Sequence, residues 1–426
     1  MNPQLIRESL DELREAGIAL RRRPAGEVLE ILAGVLDDWN DPASEWRLEL
    51  ERRLPGATGF SPENVAAGLA HGLSDWTGAA LCELVQRELG DFRLDEVLRG
   101  PVATGFPVTS VLLAGSIPMP TLLSLLTPLL LRSPVLAKSA SRDPISADIV
   151  ARSVAARDPE LGRCIRIVAF AGDDEAAIDA FLEADCIVAS GSDETLAAVR
   201  ARIRSPRRLV ASGHRVSVAV LGPEACDGHA LGGVAERLAL DIALWDQLGC
   251  LSPIGVYLND ASAAGRVAAA LAEALASLEK TLPRGEIDTS AAARIVHERA
   301  EAELRAASDK QVALHASEGT AWTVICESGA ELRPTPLHRF IRILPLKTTD
   351  TTELCAALGP LEPHLAAVAL EGFGSRTATL SRELAAAGAS RICRPGSLQA
   401  PPLGWHHEGR QLLTPLARFT DHEARG

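Results

Sequence analysis

Apolar residues recur at helical spacing from the start of the chain. Ile6, Leu10 and Leu13 form one stripe in an otherwise polar opening, MNPQLIRESLDELREAG. The first hundred or so residues continue in this way. Ser61-Pro62-Glu63 reads as an N-cap followed by proline at the first helical position, and Thr77 precedes a helix through AALCELVQREL. From about residue 109 the pattern changes to short apolar or β-branched runs: Val108–Ala114, Pro134–Lys138, Cys164–Phe170, Asp185–Ser190 and Arg208–Ala211. Helical stretches starting near Thr121, Asp143, Asp173 and Ser192 separate them. Such alternation predicts a parallel sheet with helices on both faces. Continuous apolar runs such as CIRIVAF and CIVAS suit strands buried on both sides. A second block follows, with strands RVSVAVL and IGVYL flanking a helix from about His229 to Leu248. Helices over 262–280 and 288–307, strands FIRILPL and LAAVALEG, and a helix over 374–387 complete it. The fold class is therefore α/β, with two doubly wound domains behind a helical N-terminal region. The domain boundary falls near 212–215, where Ser212-Gly213 punctuates two strands.

Size and composition narrow the function classes. The 426 residues, 47% of them hydrophobic, exceed one ordinary core. The eight cysteines stand singly, without a CxxC pair or a Cys/His cluster at metal spacing, so no metal site is expected. The polar, helical N-terminus is no secretion signal, which implies a cytoplasmic protein with reduced thiols. A net charge of −13 argues against a nucleic-acid partner. The short arginine runs Arg21 to Arg23 and Arg207-Arg208 read as solvated faces. The most apolar stretch, VTSVLLAGSIPMPTLLSLLTPLLLRSPVLAK, is divided by Pro118, Pro120, Pro128 and Pro134. Its proline-free pieces fall short of the ~20 residues a membrane span needs.

Cys250 is the leading candidate for chemistry. It lies in Leu-Trp-Asp-Gln-Leu-Gly-Cys-Leu-Ser-Pro (244–253). The preceding helix carries an apolar stripe through Leu231, Val234, Leu238, Ile242 and Trp245, and Gly249 fits its C-terminal stop. That puts Cys250 on a turn between helix and strand, where a side chain can face a cleft. The same residue also reads as a buried structural cysteine. Lys138 ends a strand and Asp143-Pro144 starts a helix; ligands of doubly wound sheets bind beyond such strand ends. Lys138 can reach a cofactor ribose or phosphate there, and Arg142 can add charge for a 2′-phosphate, though both also read as solvated loop residues. Gly191-Ser192 follows DCIVAS and opens a helix whose N–H groups can hold a pyrophosphate; Ser192 with Asp193 and Glu194 is also an ordinary well-capped start. Gly115-Ser116-Ile117-Pro118 leaves the first strand in a turn that can stabilise an oxyanion or serve only as a turn. Trp405-His406-His407-Glu408-Gly409 reads mainly as docking of the tail. GxGxxG after a strand, GxxxxGK[ST], GxSxG and HExxH motifs are all missing.

Taken in order and spacing, several segments resemble the acyl-CoA reductase family, the fatty-acyl reductases of bacterial bioluminescence, within the aldehyde-dehydrogenase superfamily. They are Ala-Gly-Ser-Ile-Pro (114–118), Val-Leu-Ala-Lys-Ser (135–139), Ser-Gly-His-Arg-Val-Ser-Val-Ala-Val (212–220), Asp-Gln-Leu-Gly-Cys-Leu-Ser-Pro (246–253) and Gly-Trp-His-His-Glu-Gly-Arg (404–410). The resemblance implies an aldehyde-dehydrogenase-like fold. Residues 1–105 would pack on a variant Rossmann cofactor domain (106–213), followed by a catalytic domain (214–395) carrying Cys250 and a tail (396–426). It implies NADPH as hydride donor, Cys250 as nucleophile, Lys138 with Ser139 at the cofactor ribose, and Gly191 with Ser192 at the pyrophosphate. Three departures stand out. Aldehyde-oxidising members carry a glutamate where this chain reads Ala211-Ser212-Gly213-His214, which fits a thioester reductase that excludes water. Their ribose-binding glutamate falls at Thr335-Pro336-Leu337-His338. Their oxyanion-hole asparagine aligns with Ser116, whose hydroxyl offers one shorter donor. The expected activity is NADPH-dependent reduction of an acyl-CoA or acyl-protein thioester to an aldehyde. The implied partners are an acyl-activating synthetase or acyl transferase, and further copies of this chain. A non-catalytic scaffold and an oxidative aldehyde dehydrogenase are the alternatives.

Overall fold

In the computed structural model the described residues are 2–90, 95, 102–348 and 351–421. They form two compact units. The first comprises 1–58, 72–214 and 402–426; the second comprises 59–71 and 215–401. In chain order the first unit begins with α1 (Pro3–Leu20), α2 (Ala25–Asn40) and α3 (Glu45–Thr58); α4 (Pro62–Gly72) falls almost wholly in the second unit, and the first resumes with α5 (Gly78–Leu89). Next come β1 (Val102–Thr104), β2 (Thr109–Leu112), α6 (Pro118–Leu130), β3 (Val135–Lys138), α7 (Ser146–Arg157), α8 (Pro159–Gly162), β4 (Ile165–Val168), α9 (Glu175–Phe181), β5 (Cys186–Ser190), α10 (Asp193–Arg202) and β6 (Arg208–Ser212). The second unit continues with β7 (Val216–Leu221), α11 (Leu231–Ala243), β8 (Pro253–Leu258), α12 (Ala264–Leu278), α13 (Thr289–Ser308), β9 (Ala313–Ala316), β10 (Thr323–Cys326), β11 (Phe340–Pro345), α14 (Thr351–Leu358), β12 (Leu365–Glu371), α15 (Thr377–Ala386) and β13 (Arg391–Cys393). Finally β14 (Arg418–Thr420) pairs antiparallel with β1.

The first unit is built on a parallel five-stranded sheet in the order β4-β3-β2-β5-β6. The chain winds outward from β2 through β3 to β4, then returns to place β5 on the other side of β2. The point of reversal therefore lies between β2 and β5, where doubly wound sheets open a ligand crevice beyond the carboxyl ends of the strands. Ile6, Leu10 and Leu13 of α1 pack with Val108, Leu136, Phe181 and Ile187 in one core. The stripe read from the sequence thus covers a sheet face. The Arg21–Arg23 run is only partly a solvated face: Arg23 is mostly buried and pairs with Asp158 at 2.7 Å.

The second unit has a seven-stranded sheet, β13-β12-β7-β8-β11-β10-β9, parallel except for β9. Val218, Val220, Tyr257, Leu344, Val368 and Leu384 lie in its core. The run Ala261–Leu278 is long and apolar enough to cross a membrane by length and composition alone. Here it buries Val267, Ala268, Leu271, Ala272 and Leu275 along one face, as a core helix does.

Three sequence expectations change. Residues 59–71, placed with the N-terminal helices, cluster with the second unit. The cause is Asn64, which is fully buried and hydrogen-bonds Trp245, Ala243 and Asp246. The tail is split rather than continuous. Gly396 and Leu398 are held by Asp241 in the second unit, whereas Glu88 accepts from the N–H groups of Leu412, Leu413 and Thr414 in the first. The helix expected to run to Leu248 ends at Ala243, for reasons that belong to the site.

Candidate functional site

The turn that leads to Cys250 is assembled from buried polar side chains. After α11, Trp245, Asp246 and Gln247 take left-handed backbone angles (φ 55°, 49° and 63°). None is glycine, so each costs of order 1 kcal/mol or more and persists only if its surroundings over-determine it. Asn64 Oδ1 accepts the Trp245 N–H at 2.8 Å. Asp246 accepts from Asn64 Nδ2 at 2.8 Å and from the Gly285 N–H at 3.0 Å. It also faces Arg339, whose Nη2 is 2.7 Å from Oδ1. Burial pushes the Asp246 carboxyl up, and the Arg339 charge opposes that shift. Gln247 uses its whole amide: Oε1 accepts from Phe340 N–H at 2.8 Å, and Nε2 donates to Pro253 O at 2.8 Å and Phe340 O at 2.9 Å. Gly249 is thus not the helix stop; tertiary hydrogen bonds end the helix six residues earlier. A second left-handed triplet, Leu337, His338 and Arg339, stands opposite, tied to the first through Asp246–Arg339 and Gln247–Phe340.

Cys250 projects from the turn that follows, at the amino edge of the sheet just before β8. Ser217 Oγ donates to the Cys250 carbonyl at 2.8 Å, and the Ser252 N–H donates to the Gly249 carbonyl. The thiol is exposed, a position it shares with Cys82 alone. The thiols of Cys164, Cys226, Cys326 and Cys393 are pushed up to about 11, and that of Cys186 to about 12, all by burial. Those five are protonated near neutral pH and suit packing rather than attack.

The other candidate residues lie in the first unit, at the carboxyl edge of its sheet. Gly115 (φ +86°) turns the chain out of β2, and Ser116 is buried behind it. Lys138, at the end of β3, is also buried. Its Nζ lies 5.2 Å from the centre of the Phe170 ring and donates to the Ser139 carbonyl at 3.5 Å. No carboxylate pairs with it among the described residues, and desolvation lowers its pKa. A buried ammonium without a counter-charge leaves donors for a ligand's hydroxyl or phosphate oxygens. Ser139 is buried beside it, while Arg142 is exposed on the turn before α7. The Gly191-Ser192 turn is less open than its sequence implied. The Gly191 N–H is spent on the Ser212 carbonyl at 3.2 Å, Ser192 Oγ caps α10 at Thr195 N, and Asp193 and Glu194 fill the first turn. Anion binding there rests on what remains of Ser192. The structure brings Ser116, Lys138, Ser139, Arg142, Gly191 and Ser192 to one sheet edge, at the winding reversal. The Trp405–Gly409 segment does dock the tail: Trp405 stacks edge-on with His407 at 5.1 Å, and nearby Arg410 donates to the Ala211 carbonyl.

Sequence reasoning missed Asn64, Ser217, Gln399 and Arg339. The only available signal was an isolated polar residue in an apolar or helical setting.

Residues 21–419 match the model of the acyl-CoA reductase (LuxC) family. The chain belongs to this family. A long-chain acyl-protein thioester reductase of Aliivibrio fischeri is 24% identical over 439 residues, spanning 93% of this chain and 82% of that protein. Among solved structures, NADP-dependent glyceraldehyde-3-phosphate dehydrogenase from Bacillus halodurans superposes with a TM-score of 0.74 at 13% identity, covering 99% of this chain and 91% of that one. Bifunctional proline utilization A does so with a TM-score of 0.75 at 15% identity; the chain spans only 44% of its length. This acyl-CoA reductase family member therefore has the aldehyde-dehydrogenase fold.

Proposed function

We propose that the protein reduces an acyl thioester, a fatty acyl-CoA or an acyl-protein, to the aldehyde, with NADPH as reductant and an acyl-Cys250 intermediate. The observation that carries this reading is the Cys250 turn: an exposed thiol on a backbone pinned by buried side chains, in a chain of the acyl-CoA reductase family. The Cys250 thiolate attacks the thioester carbonyl, and its own backbone N–H with the Ser116 hydroxyl would hold the oxyanion. Collapse of that oxyanion breaks the donor C–S bond, expels the donor thiolate and leaves the acyl group on Cys250. The chemistry that a nicotinamide cofactor would supply here is a hydride for the acyl carbon. Cys250 departs as thiolate when the aldehyde is released. Lys138 and Ser139 would hold the cofactor ribose, Arg142 a 2′-phosphate, and Gly191-Ser192 the pyrophosphate. Ala211-Ser212-Gly213-His214 offers no carboxylate to activate water, which supports reduction over oxidation. The acyl group would come from an acyl-activating synthetase or acyl transferase in the cytoplasm, and the chain would self-associate.

The test is NADPH oxidation with a panel of acyl-CoA thioesters, wild type beside Cys250→Ala. Consumption that requires both the thioester and Cys250 supports the reading; an acyl adduct that persists in Cys250→Ala sinks it. A second reading, a non-catalytic scaffold, is favoured by one observation: the engaged Gly191 N–H and the acidic first turn of α10. A thermal shift with NADPH separates the two. A ligand at about a hundred times its Kd stabilises by ~2.7 kcal/mol, whereas a scaffold without a cofactor site would not shift.

A further inference from the structure

One polar side chain near the nucleophile comes from far along the chain and has no part in the chemistry proposed above. Gln399 follows β13 and is buried. Its Nε2 donates to Ser252 Oγ at 2.7 Å and lies 3.4 Å from the Asp241 carbonyl. Ser252 is itself buried, two residues beyond Cys250 and at the mouth of β8. The segment that carries Gln399 is fixed independently of that contact. Asp241 Oδ2 accepts from the Gly396 N–H at 2.6 Å and Oδ1 from the Leu398 N–H at 3.0 Å. Arg391 donates to the carbonyls of Ser397, Leu398 and Ala400. A carbonyl-studded guanidinium on one side and a carboxylate with two N–H donors on the other hold the loop as a rigid arm.

On the amino side of Cys250 the turn is held differently. Ser217 Oγ donates to the Cys250 carbonyl and accepts from the Ala367 N–H, and Gln247 grips Pro253 and Phe340. These contacts come from the sheet. Ser252 is tied to no sheet strand by its side chain; its hydroxyl is met by Gln399. A serine hydroxyl buried there without its partner would be left with an unmet acceptor.

We infer that Gln399 is a positioning residue, which fixes the Cys250 turn through Ser252 and so sets the angle from which the thiol meets the acyl carbonyl. This rests on the proposed acyl transfer to Cys250. Reacting atoms must be held within a fraction of an ångström for attack, and small displacements cost large factors in rate. The rigid 396–400 arm therefore matters to acylation more than to binding of either substrate.

The test uses the full chain with Gln399→Met, which keeps volume and removes the amide, and separately Ser252→Ala. Three quantities are read: single-turnover acylation of Cys250 by an acyl-CoA, KM for NADPH, and amide hydrogen exchange over residues 249–252. Each variant is expected to acylate roughly tenfold more slowly and to exchange roughly tenfold faster over the turn, with KM for NADPH unchanged. The double variant should be no worse than either single one, because both remove the same bond. Wild-type acylation and exchange in Gln399→Met would overturn the inference, as would effects that multiply in the double variant. If Gln399→Met does not fold, Ser252→Ala carries the test, since it deletes one oxygen. If the wild type accepts acyl groups from no thioester, the functional reading has failed, and the exchange measurement still decides the role of Gln399.

Discussion

The two sheets treat their candidate residues in opposite ways. At the amino edge of the seven-stranded sheet, three polar side chains of the Cys250 turn are met by protein, although the buried Trp245 indole N–H is not: Asp246 by Asn64, Gly285 and Arg339, Gln247 by three backbone groups, Ser252 by Gln399. At the carboxyl edge of the five-stranded sheet, Lys138 is buried with no carboxylate and Arg142 is exposed. A nucleophile must be aimed before its substrate arrives, so its supports are satisfied in advance. A ligand site keeps donors in hand until the ligand completes them. Under the proposed function, density of internal hydrogen bonding would separate the site for reaction from the site for binding.

The largest expected effect falls on the satisfied side. Asp246→Ala strips support from the left-handed triplet and leaves the buried Arg339 with Glu279 as its remaining carboxylate. Because that second partner stays, the expected loss is about 2–3 kcal/mol, below the full cost of stranding a buried charge, readable as a shift in denaturant midpoint. A loss below about 1 kcal/mol would mean that the turn is not held as described.

Lys138→Met should separate the two sides by sign. Taking away an ammonium that has no counter-charge should leave the melting temperature of the ligand-free protein equal or higher, while NADPH affinity falls by roughly tenfold or more. Equal affinity by calorimetry would remove Lys138 from the cofactor site.

A smaller effect concerns pH. Burial raises the Asp241 carboxyl from 3.8 to about 7. A raised folded-state pKa means that the folded protein binds the proton more tightly than the unfolded chain. Its contribution to stability is therefore full below about pH 4 and is lost as pH rises through about 7. Asp241→Asn cannot titrate, so stability of wild type minus variant should fall between about pH 4 and about pH 7 and stay level above that. The groups facing Asp241 are the N–H donors of Gly396, Leu398 and Gln399, with the Arg391 charge and the Cys393 thiol nearby. A difference that stays flat with pH would place the carboxyl in water. The smallest effect is Gly115→Ala, where a side chain at φ +86° meets no atom within 4 Å. Only backbone strain remains, about 1 kcal/mol, visible as a Tm lowered by a few degrees.

Much of the fold was legible because buried parallel strands leave continuous apolar runs. Val135–Lys138, Cys186–Ser190 and Phe340–Pro345 begin and end within a residue of where their patterns do. The short β1, β13 and β14, of three residues each, carry too few side chains to show a period. Nor were β9 and β10 foreseen; β9 reads Ala-Leu-His-Ala and is only half-buried. Cys250 could be placed on a turn before a strand, but not the left-handed triplet behind it. Aspartate tolerates that conformation, but Trp245 and Gln247 have no local preference for it, and the bonds that impose it come from Asn64, Gly285 and Arg339. Lys138 could be placed at a strand end, but whether it was paired depended on what the fold left out. The Gly191 N–H looked open because its acceptor, Ser212, lies on the neighbouring strand.

The membership of residues 59–71 in the second unit has a consequence for how the chain is made. A ribosome emits roughly 5–20 residues per second. Asn64 therefore reaches the cell well before Trp245 and Asp246, and waits through the synthesis of the whole five-stranded sheet. During that interval Phe60, whose ring meets Trp245 edge-on at 5.4 Å in the finished protein, lacks that partner. A fragment beginning at 215 would in turn complete its sheet without the side chain that caps Trp245. The second unit cannot be cut from the gene as one continuous piece, and its assembly is a step that only the nearly finished chain can take.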